Sequence, residues 1–199
     1  GITTIADFRR RDMAASGQGA PLTPAFHNVL FRSEKEDSIV LNLGGIANIT
    51  YLPANLKAPI TGFDTGPANC LLDQWIHYHH KQWFDEDGAW AATANFDPTL
   101  LQQFLSDPYF QLTPPKSTGL EYFNLNWLNT QLNSVDRPLS PAIVQASLCE
   151  LTAISVERAI QQFKSSQGVL VLCGGGSKNT YLKQRLAERC QNHRLLLSD

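Results

Sequence analysis

The sequence predicts an α/β fold in which helices pack against a mixed sheet. Three observations support this prediction. Apolar and polar residues alternate over residues 38–52, the apolar spacing becomes about 3.6 residues after position 66, and residues 168–190 read as strand, glycine turn and helix. Because strand, turn and helix in that order form the βα unit of parallel sheets, part of the sheet should be parallel.

The first 35 residues form a distinct opening segment. Charged residues at 7–12 precede a Gly/Pro loop at 14–24, and a short apolar helix is predicted at 25–31. The polar and charged residues at 33–37 then mark an exposed break before the sheet begins.

A β-hairpin and a third strand are predicted next. Gly44 and Gly45 interrupt the alternating run 38–52 and suit a hairpin turn. The third strand is predicted at 59–63 and ends at Asp64.

Helices are predicted in the region that follows, although residues 81–135 are expected to consist largely of loops. A helix at 66–80 has Pro67 in its first turn, and two short helices are expected around 100–105 and 124–132. A long helix then starts at Pro141, where Ser140 can cap it.

The last part of the chain is the predicted βα unit. A buried strand at 168–172 leads through a glycine turn at 173–176 into an amphipathic helix at 179–190. The chain then ends on a strand at 195–197 that nothing covers. We therefore expect a piece of a longer polypeptide.

Composition excludes several classes of partner. Of 199 residues, 43% are hydrophobic and 17% are charged, and the net charge is −2, so neither nucleic acid nor an anionic membrane is an expected partner. The uncharged stretch 38–56 contains Asn42, Asn48 and Pro53, which argues against a transmembrane helix. The four cysteines have no CxxC spacing, which favours reduced thiols in a cytoplasmic protein.

Three glycine turns are the first candidate binding features. They have the sequences LNLGGIANIT, GFDTGPAN and LVLCGGGSKN. Such turns are often structural, but together they suit phosphate oxygens, because glycine lets backbone N–H groups approach an anion closely. Neither a P-loop nor a GxGxxG motif is present, so a nucleotide would lie between hairpins.

Asp64 is the candidate catalytic carboxylate. It is predicted at a strand end beside the N-terminus of the next helix, where its pKa should stay low and where it could act as a base. The alternative is a helix cap with no other role. Asn69, in the first turn of the same helix, could contact the same ligand or simply be exposed.

Other charged clusters carry weaker signals. Asp7 and Asp12 flank the three arginines at 9–11, which argues against a nucleic-acid arm, and residues 85–88 look like a capped turn and lack the later ligands of a calcium loop. No metal site is expected at the histidines of residues 77–80. Lys116 could neutralise a phosphate or be solvated.

Seven sequence blocks occur in the order found in bacterial anhydro-N-acetylmuramic acid kinases, and the chain resembles that family from end to end. The blocks are ADFRRRD, GQGAPLTPAFH, LNLGGIANIT, GFDTGPAN, DGAWAA, PPKSTG and CGGGSKN. The family belongs to the sugar kinase, Hsp70 and actin superfamily, whose two ribonuclease-H-like lobes close over ATP. The resemblance implies an incomplete two-lobe kinase. Residues 1–35 would end the first lobe, and residues 36–199 would form an actin/hexokinase-type second lobe that is truncated at its C-terminus.

The resemblance also implies an activity. Kinases of this family use ATP and Mg²⁺ to open the 1,6-anhydro ring of anhydro-N-acetylmuramic acid with water and to phosphorylate O6. The product is N-acetylmuramic acid 6-phosphate, in cell-wall recycling. The expected partners are this small amino sugar and ATP, and a homodimer is compatible with the family.

Site residues follow from the same resemblance. Asp64 is similar to the catalytic base that activates water. The ATP and phosphate residues would be Gly44, Gly45, Asn48 and Gly66, with Gly174, Gly175, Gly176 and Asn179 on the adenosine side. The substrate side would include Arg11, Asp12 and Asn69, and no protein metal ligand is expected.

Two other functions stay open. The family's N-terminal GTS-type phosphate loop and its C-terminal elements have no counterpart here, so the 199 residues alone are expected to have little kinase activity. A catalytically silent nucleotide- or sugar-binding module is therefore one alternative. A glycoside hydrolase that pairs Asp64 with Asp87 is the other, although the three glycine turns favour the kinase.

Overall fold

A computed structural model describes residues 1–4, 6–7, 9–16, 23–163 and 167–198. The strands are β1 Ser38–Leu43, β2 Ile46–Leu52, β3 Thr61–Pro67, β4 Gly168–Cys173 and β5 His193–Leu197. The helices are α1 Arg9–Ala14, α2 Pro24–Phe31, α3 Asn69–His80, α4 Pro98–Leu105, α5 Leu125–Asn133, α6 Pro141–Gln161 and α7 Thr180–Arg189. The centre of the predicted Gly/Pro loop, residues 17–22, lies outside the described residues.

The strands form one mixed sheet in the order β3-β2-β1-β4-β5. β2 pairs antiparallel with β1 and β3, whereas β4 pairs parallel with β1 and β5. The predicted hairpin at Gly44 and Gly45 and the predicted parallel component are therefore both confirmed. The central strand β1 is almost wholly buried, as its apolar sequence SIVLNL predicts.

Helices cover the two faces of the sheet unequally. Apolar residues of α6 and α7 pack on one face, where they form a core with alternating residues of β1, β2 and β4. The short helix α2 lies on the other face, where Nδ1 of its buried His27 is 2.9 Å from the hydroxyl oxygen of Thr50. Helices α3, α4 and α5 form a second core together with α6.

Local sequence signals explain most helix starts. Ser140 caps α6 by accepting a hydrogen bond from the N–H of Ile143, and Asn124 caps α5 in the same way. Asn179 caps α7 through the N–H of Leu182. These three starts agree with the predicted helices to within one residue.

Two predicted boundaries are wrong. Strand β3 extends to Pro67, so Asp64 lies inside the strand and not at its end. The next helix begins at Asn69 and not at residue 66, because the extended chain continues to pair with β2 as far as Ile46 and Pro67. Tertiary pairing therefore overrides the preference of proline for a first helical turn.

The described residues contain no helix with both the length and the apolar character required to cross a bilayer. All four cysteines are free, and Cys70, Cys149 and Cys190 are buried. Burial raises the pKa of the Cys70 thiol to about 12, so this group stays protonated at neutral pH.

Candidate functional site

A row of polar side chains crosses the sheet on the face that α2 covers only in part. Asn42 pairs with Asn48, Asn48 pairs with Asp64, and Cys173 pairs with Asn42 on the other side. Directly paired residues on neighbouring strands point to the same face of a sheet. The register therefore places one thiol, two amides and one carboxylate in line.

A β-bulge sets this register. Asn48 pairs with Asp64, but the adjacent Ala47 pairs with Gly66, so Thr65 is the extra residue of β3. The Thr65 hydroxyl donates a hydrogen bond to the Ala47 carbonyl and ties the bulge down. Without the extra residue, the side chains beyond it would point to the opposite face.

Asp64 is held by the loop that precedes α5. The Ser117 hydroxyl donates to Oδ2 of Asp64 at 2.9 Å, and the backbone N–H of Thr118 donates to the same oxygen at 3.0 Å. The backbone of Asp64 is fixed as well, because its N–H donates to the Lys116 carbonyl and its carbonyl accepts from the Tyr109 hydroxyl. No hydrogen-bond donor to Oδ1 occurs among the described residues, so Oδ2 is the engaged oxygen.

The pKa of Asp64 is raised, contrary to the sequence-based expectation of a low value. Burial is the largest cause, because only 5% of the residue is exposed. The hydrogen bonds from Thr118 and Ser117 and the charge of Arg9 act in the opposite direction. A carboxylate with a raised pKa is a stronger base once it is ionised.

The backbone N–H groups at the N-terminus of α3 donate to the hairpin turn and not to the Asp64 carboxylate. The N–H groups of Ala68 and Cys70 donate to the Gly45 carbonyl, and the N–H of Asn69 donates to the Gly44 carbonyl. The hairpin turn thus caps the helix, and the alternative of Asp64 as the helix cap is wrong because Ala68 occupies that position.

A cavity of about 540 Å³ lies between the third glycine turn and the start of α3. Asn69, Gly175, Gly176 and Asn179, four of the predicted ligand residues, line it together. The carboxylates in its wall belong to Asp73, Asp85, Glu86 and Asp87, and Lys178 is the cation among the lining residues. This end of the site is therefore acidic.

Close backbone approach explains Gly174. Its φ of +81° is left-handed, and a Cβ there would lie 2.5 Å from Oδ1 of Asn42 and 2.8 Å from the Leu43 carbonyl oxygen. Gly66 is explained in a similar way, since its φ is +152° and a Cβ would lie 2.9 Å from Phe110. Gly66 is buried within β3, against this ring.

Gly174→Ala is expected to destabilise the protein by about 2 kcal/mol, because the methyl group adds a clash to an unfavourable φ. Urea unfolding measures this change in free energy. Gly175→Ala is the matched control, since its Cβ would meet nothing closer than the Asn69 amide nitrogen at 3.9 Å. Equal losses in the two variants would contradict the steric explanation.

The remaining predicted residues occupy two regions. Asn69, predicted on the substrate side, donates from Nδ2 to the Leu43 carbonyl at 2.9 Å and so links α3 to the end of β1 in the cavity wall. Arg11 is exposed on α1 and Asp12 is half-buried on the same helix. The charge from α1 that acts on Asp64 is that of Arg9.

The weaker sequence signals have structural explanations. Lys116 is buried and therefore not solvated. Its Nζ donates to the Tyr109 carbonyl and lies 4.5 Å from the centre of the Tyr109 ring.

Asp85 accepts hydrogen bonds from the N–H groups of Trp90 and Ala91, which makes residues 85–88 a capped turn as expected. Within the described ranges, no group of three or more His, Cys, Asp or Glu residues could hold a metal ion.

The sequence interpretation missed several site residues. Ser117 and Thr118 lie in the block PPKSTG. This motif indicated a loop, but it did not indicate that the loop contacts Asp64. Tyr109 gives no motif at all. Asp73 lies one helical turn after Asn69, so both residues are on one face of α3. This spacing could have identified Asp73 as a candidate site residue.

Comparison with known proteins gives a consistent result along the whole chain. A family model described as anhydro-N-acetylmuramic acid kinase matches residues 1–199. The chain is 50% identical over 199 residues to a protein of that name from Coxiella burnetii (strain Dugway 5J108-111), covering 100% of this chain and 53% of that protein. It is 52% identical over 192 residues to a namesake from Xylella fastidiosa (strain Temecula1 / ATCC 700964), covering 96% and 49%. The chain thus spans about half the length of these curated relatives.

Solved structures share the fold at low sequence identity. An activator of 2-hydroxyisocaproyl-CoA dehydratase from Clostridium difficile, with bound ADPNP, matches with a TM-score of 0.52 and 13% identity, covering 83% of this chain and 55% of that chain. A xylulose kinase from Rhodospirillum rubrum matches with a TM-score of 0.52 and 14% identity, covering 82% and 35%. These likenesses show that the chain shares its fold with these two proteins, one of which is a sugar kinase.

Proposed function

Because the chain belongs to the anhydro-N-acetylmuramic acid kinase family, we propose that the protein, in its full length, is an ATP-dependent kinase for anhydro-N-acetylmuramic acid. It opens the 1,6-anhydro ring with water and phosphorylates O6 to give N-acetylmuramic acid 6-phosphate. In this proposal the enzyme is cytoplasmic and serves cell-wall recycling. Residues 36–199 belong to its second lobe and residues 1–35 end the first.

One observation carries the proposal. Asp64 is buried in the polar row, and its Oδ2 is held by two donors from one loop. That arrangement leaves Oδ1 to accept a proton from water. Water attacks the anomeric carbon as its proton moves to Asp64, the bond from that carbon to O6 breaks, and O6 then takes the γ-phosphoryl group while ADP leaves.

The charge distribution supports one orientation of the nucleotide. The acidic cavity beside Gly175 and Gly176 suits the hydroxyl and amino donors of a nucleoside and repels phosphates. The phosphates would then extend toward the hairpin turn at Gly44 and Gly45 and toward Asn48. The described residues do not form a metal site by themselves, so Mg²⁺ enters this proposal only as the ion that accompanies ATP.

Product analysis tests the proposed function. The full-length protein, supplied with MgATP and the anhydro sugar, should yield ADP and a sugar whose mass has gained both one water and one phosphoryl group. Ring opening without ATP would favour the glycoside hydrolase with Asp64 and Asp87. Nucleotide binding with no product would favour the catalytically silent module.

Asp73 provides a test of the nucleoside cavity. Burial raises the pKa of this carboxyl to about 6, and no hydrogen-bond partner for it occurs among the described residues. By contrast, the Asp85 and Asp87 carboxylates accept hydrogen bonds from Trp90 and Thr180. Asp73 is thus the half-buried carboxylate of the cavity that can accept a hydrogen bond from a ligand.

Adenosine affinity is expected to fall about tenfold as the pH drops from about 7.5 to about 5, because protonation removes the charged acceptor at Asp73. Adenosine is the probe because it has no phosphate that titrates in this range. Calorimetric titration of the wild type and Asp73→Asn measures the effect. The variant should bind weakly at both pH values, and a pH dependence that persists in it would exclude Asp73 as the cause.

A further inference from the structure

We propose that Ser117 is a positioning residue for Asp64, which it orients so that Oδ1 is the oxygen that receives the proton from water. The inference rests on the proposed function, in which Asp64 is the base. Its direct support is the 2.9 Å hydrogen bond from the Ser117 hydroxyl to Oδ2.

The geometry fixes the carboxylate plane. The Thr118 N–H approaches the same oxygen at 3.0 Å, so two donors from adjacent residues converge on Oδ2. A carboxylate with both donors on one oxygen cannot rotate without losing them. The Thr118 donor belongs to the backbone and is present whatever the side chain, which leaves the Ser117 hydroxyl as the contact that depends on residue type.

The loop that carries Ser117 is itself anchored. Asp107 accepts hydrogen bonds from the Tyr109 N–H, the Tyr122 hydroxyl and the Trp127 indole. Lys116 is tied by its Nζ to the Tyr109 carbonyl. Ser117 is therefore held in place before any ligand arrives, and a donor that does not have to reorganise is the most effective kind in catalysis.

Among the residues that the structure describes, few charged or titratable groups act on Asp64. Arg9 on α1 lowers its pKa, and Tyr109, whose own pKa is raised by burial and by the Asp64 charge, stays protonated and donates to the Asp64 carbonyl. Lys116 contributes its backbone carbonyl to the Asp64 N–H. Removal of the Ser117 hydroxyl takes away one of the two donors that oppose the effect of burial.

The test compares full-length wild type, Ser117→Ala and Ser117→Thr over a range of pH. In Ser117→Ala, kcat should fall about tenfold or more, and the acid limb of its pH profile should move up by about one pH unit, with KM for both substrates unchanged. Threonine keeps the hydroxyl and should restore most of kcat and the original acid limb. Ser134→Ala is the control, because Ser134 is exposed directly after the end of α5 and its hydroxyl donates only to the Thr130 carbonyl.

A second readout does not require turnover. In protein labelled with ¹³C at the aspartate carboxyls, the resonance missing from Asp64→Asn identifies Asp64, and its titration midpoint should be higher in Ser117→Ala than in the wild type. An unchanged midpoint, or a kcat loss that is equal at every pH, would overturn the positioning role. A wild type without kinase turnover would overturn the proposed function and with it the catalytic part of this inference, whatever the midpoint shows.

Discussion

In the full-length protein, Asp64→Asn is expected to lower kcat by a factor of about 10² to 10⁴ while ATP still binds. Asparagine has the same shape and keeps an oxygen that can accept from Ser117 and Thr118, so the fold should be preserved. Its amide cannot take a proton from water. The loss should therefore fall on the chemical step, which single-turnover kinetics and a separate nucleotide titration can distinguish from binding.

The pH profile strengthens this test. Because burial raises the pKa of Asp64, wild-type activity should be lost as the pH falls through that value, and residual activity of the asparagine variant should lack this limb. Asp136→Asn, at an exposed position, is the control for loss of one negative charge. Near-normal kcat in Asp64→Asn would contradict the proposed mechanism.

Asp87→Asn separates the kinase from the hydrolase. Asp87 lies in the cavity wall and accepts a hydrogen bond from Thr180, whereas Asp64 lies on β3. The kinase proposal predicts that this variant weakens nucleotide binding with little change in the rate of ring opening at saturating ATP. A rate loss as large as that of Asp64→Asn would favour paired carboxylates.

The largest expected effect on stability concerns Glu150. This residue of α6 is 0% exposed, and it accepts hydrogen bonds at 2.6 Å from Nε of both Arg185 and Arg189 on α7. The double variant Arg185→Met, Arg189→Met should lose about 3–5 kcal/mol, because a carboxylate stays buried without a counter-charge. Methionine retains much of the apolar packing of the arginine stems.

Chemical denaturation measures this loss. Arg194→Met is the matched control, because its partner Glu36 is exposed and such surface pairs contribute only about 0–1 kcal/mol. The triple variant that adds Glu150→Leu should recover part of the stability, since no buried charge remains. If the free energy of unfolding of the double variant is no lower than that of Arg194→Met, the ion pairs of Glu150 with Arg185 and Arg189 do not stabilise the fold.

Much of the fold follows from local sequence. The hairpin at Gly44 and Gly45, the cap at Ser140 and the strand at 168–172 all depend on residues close together in the chain, and the structure contains each of them. The position at which β3 ends does not follow from local sequence. Pairing with β2 stabilises extended chain through Pro67, and the positive φ of Gly66 against Phe110 depends on a residue 44 positions away.

The candidate site divides in the same way. The sequence by itself determined the family, the glycine turns and Asp64 as a carboxylate of interest, because these signals are contiguous motifs. Only the tertiary structure decided the surroundings of Asp64. The bulge sets the register of its side chain, and Ser117 and Tyr109 hold it by hydrogen bonds. Burial raises its pKa. Those contacts join residues 45 to 54 positions apart, and desolvation depends on everything packed around the group, so neither property is encoded in a local pattern.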